Sequence, residues 1–306
     1  MPTRFPNGVS SYGIPVLGGL DIPANATVLF VDSGHASGSD GNPGTDPNAP
    51  LLTLDAAIGL CAANNGDHIF VMPGHAETSI SSAITMDVAG VTLWGWGYGR
   101  SKPAFTVAAA VTDLITVTAA NCHIHNVRLI GTTASATALI NIAAADLLMT
   151  GIDFEPAETP LATITVASGG HRFHLKDFRV RSSANGPDFF MDFESSASDN
   201  WIVEDGFINF MTNGLDLAVF RANADTTSGG IIRNVIAIGL DAAALFFDVN
   251  SSAAVGEGLI VDCAWQHLAG ATIADGLDLG GYGTARISAS DGPSRGAILL
   301  PATSST

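Results

Sequence analysis

Carboxylates recur at one place in this chain. Asp177, Asp205 and Asp262 each stand third in a short phrase (apolar, any, Asn/Asp/Thr, small or apolar, any, apolar) that returns six times between Ile124 and Trp265. In stacked coils such side chains would lie roughly 5 Å apart, the separation of the two carboxyl groups in a retaining glycosidase. Asn126, Thr150 and Asn234 fill the same slot. Asn and Asp are also what a tight turn selects, because they tolerate the left-handed backbone region and hydrogen-bond their own backbone. The turn reading takes precedence over catalysis here.

A second column, Asn141, Thr165, Asp192, Asp248 and Asp278, alternates with apolar neighbours and therefore points outward from a strand. No turn demands acid there, and stacked like charges repel. The column reads either as a groove for a cation or sugar or as a solvated or subunit-facing acidic face. Its register is broken at the coil beginning at Val203, which offers Val219 or Phe220 at that offset.

Asp32, Asp40, Asn42 and Asp46, set among glycines, have the oxygen ligands calcium takes but not the twelve-residue loop with its terminal Glu, so they read as turn residues. His123/His125 and His171/His174 lack a recurring third ligand. No Gly-x-Ser-x-Gly, P-loop or Cys-x-x-Cys is present. The sequence therefore assigns no catalytic residue, no metal set and no cofactor.

The elements that must carry these columns follow from the spacing. Successive third positions lie 24, 27, 28, 29 and 28 residues apart, a solenoid period. Each repeat holds a second strand about fifteen residues on, such as Ile140-Asn141-Ile142, Ile164-Thr165-Val166 and Phe247-Asp248-Val249. Any of Ile, Leu, Val, Phe or Met fills the inward slots, which excludes leucine-rich repeats. The pattern predicts an all-β, right-handed parallel β-helix of about seven coils. Leu54 to Ala63, with Thr53 as N-cap, predicts one helix at 54–63 covering the open end of the core. The domain plan is an extended arm at 1–27, the β-helix at 28–280 and a C-terminal cap or tail at 281–306.

Composition narrows the class. Hydrophobic residues make up 47% of 306, which excludes disorder, and no apolar run is long enough for a membrane helix. Twelve Lys and Arg against 29 Asp and Glu give a formal charge of −17, which disfavours nucleic acid. Cys61, Cys122 and Cys263 are an odd set without metal spacing and read as reduced core residues. No signal segment follows Arg4, so synthesis in a host cytoplasm is expected.

Asp32-Ser33-Gly34, the Gly/Asp/Asn loop, Pro50-Leu51-Leu52-Thr53-Leu54-Asp55-Ala56-Ala57-Ile58 and Gly66-Asp67-His68-Ile69-Phe70-Val71-Met72-Pro73-Gly74 together resemble the opening of pectate-lyase-like right-handed β-helix proteins. That group contains polysaccharide lyases and hydrolases, phage tailspikes and other virion proteins. The resemblance spans about residues 28 to 280 and implies the fold, not a function. Its lyases use a basic residue to take the proton and calcium to hold the acid group, and no such constellation joins the acidic column here. Separately, Thr3-Arg4-Phe5-Pro6-Asn7-Gly8-Val9 resembles the starts of small tailed-phage structural proteins.

These readings make the expectation a non-enzymatic phage virion protein, a capsid decoration or cement protein on the outer capsid surface. Its partner would be the major capsid protein, held through Arg4, Phe5, Tyr12, Ile14, Val16 and Leu17 of the arm. Prolines at 2, 6, 15 and 23 preorder that arm for binding in extended form. A homotrimer is expected by analogy with β-helix virion proteins. The rival expectation is a tailspike-like polysaccharide-binding or depolymerising protein using the outer face of the β-helix.

Overall fold

The computed structural model describes residues 22–23, 25–107, 111–131, 138–156, 162–182, 186–194, 198–210, 217–222, 227–240, 244–249 and 258–267. It also gives short strands at Ser10–Ser11, Ile14–Pro15, Ala285–Ala289 and Ala297–Leu299. The fold is an all-β parallel β-solenoid, as the repeat predicts.

Each coil has three faces. The first is built from strands such as Thr92–Gly95, His123–His125 and Leu148–Thr150. Strands Ala104–Val107, Arg128–Ile130 and Asp153–Glu155 make the second. The third is a seven-stranded sheet that includes Ala138–Ile142, Ala162–Val166, Phe189–Phe193 and Ala218–Ala222. From His174–Ser182 onward, first and second faces run as one bent strand, again in Ile202–Phe210, Gly230–Leu240 and Gly258–His267.

Period-2 alternation turns this geometry into a core. On the first face Leu93, Ile124, Met149, Leu175, Val203 and Ile232 stack in register and are buried. On the third, Ile115, Ile140, Ile164, Met191, Phe220 and Phe247 do the same. Both columns belong to one continuous apolar cluster that runs up the solenoid. Ile142, Val166 and Phe193 are buried as the pattern requires, while the side chain of Val249 and the strand at 277–279 lie outside the described residues.

The bend between first and second faces is the recurring polar position. Asn126, Asp177, Asp205, Asn234 and Asp262 all have positive φ, between 51° and 56°. Thr150 is a correction. It pairs with His125 and Lys176, one residue before the bend, and Gly151 (φ 69°) makes the corner in that coil. A second left-handed corner, unnoticed in the sequence, leads into the first face at Asn121, Asp146, Arg172, Asn200 and Gly229.

The helix is shorter than the predicted 54–63. It covers Leu54–Ile58, with Thr53 Oγ1 accepting from the Ala56 amide at 3.3 Å. Gly59 then caps it and the chain leaves by tight turns through Leu60 and Cys61, because Gly59 contributes no packing and Leu60 is half exposed. Leu54, Ala57 and Ile58 join the core cluster beside Val28–Val31, His68–Val71 and Ile84–Met86, so the helix closes the first coils. Among the described residues no helix is long and apolar enough to cross a membrane.

Candidate functional site

A groove of about 1240 Å³ runs over the outside of the second face. Strand alternation places its floor. Arg128, Asp153 and Arg179 are register partners in one outward column, each two residues past the left-handed corner of its coil. Ile130 and Glu155 form the neighbouring outward column, with Arg181 at the matching place in the next coil. Tyr98, Gly99, Arg100 and Lys102 rise beside them from the turn that separates Thr92–Gly95 from Ala104–Val107, and Pro156 bounds the far side.

That turn is held closely. Asn126 Nδ2 donates to the carbonyls of Gly95 (2.7 Å) and Gly97 (3.0 Å), and Ser101 Oγ donates to the Tyr98 carbonyl at 2.9 Å. Gly95 has no room for a Cβ, which would collide with the Asn126 carbonyl. Tyr98 is left 91% exposed at the rim.

Charge in the groove runs against that of the chain. Five basic residues (Arg100, Lys102, Arg128, Arg179, Arg181) face three acidic ones (Asp153, Glu155, Asp177), so the groove is positive by two in a protein of net charge −17. Lys102 is buried, donates from Nζ to the Gly151 carbonyl at 2.7 Å and pairs with Asp153 at 3.1 Å. Arg128 makes a forked bond to Glu155 at 2.9 and 3.1 Å, and Arg181 lies 4.0 Å from the same carboxylate. Arg100, Arg179 and Arg181 are exposed.

The columns singled out in the sequence fare differently. Asp177 and Asp205 are turn residues, and Asp177 also lines the groove. The outward acidic column on the third face is not a solvated groove. Thr165 is 1% exposed and Asp192 is fully buried. Arg221, not Val219 or Phe220, fills the gap between Asp192 and Asp248 in the ladder. It binds Asp192 through Nε at 2.8 Å and through Nη2, and its guanidinium sits 3.7 Å from the Phe189 ring centroid. Opposite charge thus relieves the repulsion that stacked acids would suffer. Asp278 lies outside the described residues.

The Gly/Asp loop spends its oxygens on its own backbone. Asp32 accepts from the Gly34 amide, Asp40 from those of Leu52 and Thr53, and Asp46 from that of Asn48. His125 stacks on Trp94 with centroids 4.1 Å apart on the outside of the first face; burial, with His123 and His68 nearby, pulls its pKa down to about 4. It is neutral at neutral pH. His171 and His174 separate, and His174 Nε2 meets the buried Glu204 at 2.9 Å. All three cysteines are free, and burial pushes the Cys61 and Cys263 thiols up to about 12 and 11. Of the expected arm contacts, Arg4, Phe5, Tyr12, Val16 and Leu17 lie outside the described residues, and Ile14 is described only as backbone paired with Ser11.

The groove was missed for a specific reason. With Thr150 counted as the corner, Asp153 falls out of line with Arg128 and Arg179. Aligning the repeats on Asn126, Gly151 and Asp177 brings all three into one column.

No family model and no curated protein matches the chain. Among solved structures, the GH136 lacto-N-biosidase from Eubacterium ramulus matches in its selenomethionine and native forms. Each is 11% identical, with TM-scores of 0.36 and 0.37, covering 86% and 85% of this chain and 67% of the other. Both matching structures are of a glycoside hydrolase, which stands against the expectation of a non-enzymatic chain, and at this identity the likeness assigns no activity to this chain.

Proposed function

We propose that this protein binds and depolymerises an acidic polysaccharide laid along the second-face groove. The observation that carries the reading is the gathering of five of the chain's twelve basic residues into one groove on an otherwise acidic protein. Guanidinium groups suit carboxylate or sulfate substituents because their planar donors meet two oxygens at once. Arg179 and Arg181 are the exposed members on the floor and take the anionic groups of the glycan. Lys102 and Arg128, already paired, hold Asp153 and Glu155 in place.

Those two carboxylates carry the cleavage. They alternate on one strand and both project outward, with Cα atoms roughly 6.7 Å apart. Hydrolysis with inversion would need one of them protonated, to give its proton to the leaving glycosidic oxygen, and the other ionised, to take a proton from the attacking water, with the two carboxyl groups roughly 6.5–9.5 Å apart.

The test is direct. Alginate, polygalacturonate, hyaluronan and a sulfated glycan are titrated in low and physiological salt, with dextran as neutral control. At least one anionic glycan binds, more weakly as salt rises. Arg179→Ala combined with Arg181→Ala lowers that affinity tenfold or more, each lost charged hydrogen bond being worth about 1.5–3 kcal/mol. Asp153→Asn and Glu155→Gln each abolish release of reducing ends with binding kept within a few fold. Equal binding of dextran, or an unaltered double variant, overturns the binding reading; unchanged cleavage in both carboxylate variants overturns the catalytic one.

A further inference from the structure

The described residues hold two exposed aromatic rings, Tyr98 at 91% and Phe207 at 39%. Every other Phe and Trp with a described side chain is buried or half-buried. Phe207 belongs to the second face and Tyr98 to the turn that leads into it. Tyr98 stands at the groove rim in the coil of Ala104, and Phe207 continues the floor column, register-paired to Arg179. The column therefore reads Ala104, Arg128, Asp153, Arg179, Phe207, then Ile236, itself 41% exposed. Charge occupies its middle and apolar surface begins at Phe207, outside the groove proper.

A parallel solenoid spaces such positions evenly. Four rungs separate the coil of Tyr98 from that of Phe207, about 19 Å at the usual interstrand distance, or about four pyranose units of an extended chain. Exposed rings present flat apolar faces, and the faces of pyranose rings carry C–H groups that pack on them while their edges keep hydroxyls in water.

Resting on the acidic-polysaccharide reading above, we infer that the site is an extended one. The glycan runs parallel to the solenoid axis, one sugar stacked on Tyr98, the anionic sugars over the arginines, and a terminal subsite on Phe207 about four units away. Phe207 is then a determinant of chain-length preference, and it touches the glycan without taking part in bond cleavage.

The experiment uses uronate oligosaccharides of two to eight units with the full chain and with Phe207→Ala, Phe207→Trp and Tyr98→Ala. Wild-type affinity rises with length and levels off near four to five units. Phe207→Ala lowers hexamer affinity about tenfold, the effect of losing roughly 1.4 kcal/mol of aromatic contact, and leaves trimer affinity unchanged. Phe207→Trp restores the length dependence, while Tyr98→Ala weakens trimer and hexamer alike. Melting temperatures matching wild type exclude a folding defect. If wild type binds neither these oligomers nor sulfated ones of the same lengths, the acidic-polysaccharide reading itself fails. If it binds but affinity is flat beyond two units, or Phe207→Ala weakens trimer and hexamer equally, that reading stands and the extended site is overturned.

Discussion

Glu204 shows what a single side chain does on a solenoid ladder. It is 2% exposed on the outside of the first face, between Lys176 and Arg233 in register. Burial alone would raise its carboxyl, but hydrogen bonds from Arg233 and His174, with their charge, outweigh it and hold the group below the usual carboxylate range. A depressed folded pKa contributes stability that is present above the unfolded value, about 4.3, and is lost as pH falls through the folded value. Glu204→Gln should therefore flatten the dependence of urea-unfolding stability on pH below about 4.3, with the difference from wild type greatest at neutral pH. Parallel curves would show that Glu204 is not the group responsible. At the corners, Asp205→Asn should leave the melting temperature nearly unchanged, while Asp205→Val, a branched side chain at φ 56°, should cost about 1–3 kcal/mol. Equal melting of the two variants would contradict the turn role.

At the scale of the element, a strand is secured by what its neighbours place above and below it. Phe247 is fully buried and stacks on Phe220 at 6.2 Å, so Phe247→Asp should cost on the order of 3–5 kcal/mol or prevent folding. A variant melting like wild type would put this strand in the wrong register. Arg221→Met tests the polar ladder on the same face. It strands the buried Asp192 without its guanidinium, and thermal unfolding should show a loss of about 3–5 kcal/mol. Restoring neutrality with Asp192→Leu in the same chain should recover much of it. Failure of the second change to rescue would mean the pair is not the source of the loss.

Across the whole molecule, the same stacking that builds the core also builds the site, since any outward residue type repeated at one offset becomes a line on the surface. The period, the strand alternation and the Asn/Asp corners were legible in the sequence because each depends on local chemistry: two-residue alternation, and side chains that tolerate positive φ. They determined the parallel β-helix, the inward apolar columns and the reading of Asp177 and Asp205 as turn residues. The helix was legible as an element but not in length, because its end depends on packing beyond Ile58. What only the tertiary structure decided was register between coils. Coil lengths vary, so sequence offsets alone could not show that Gly151 rather than Thr150 is the corner, that Arg221 follows Asp192 in the ladder, or that Arg128, Asp153, Arg179 and Phe207 form one line. Interstrand hydrogen bonding sets those partners, and it acts between residues some 25 to 30 positions apart in the chain.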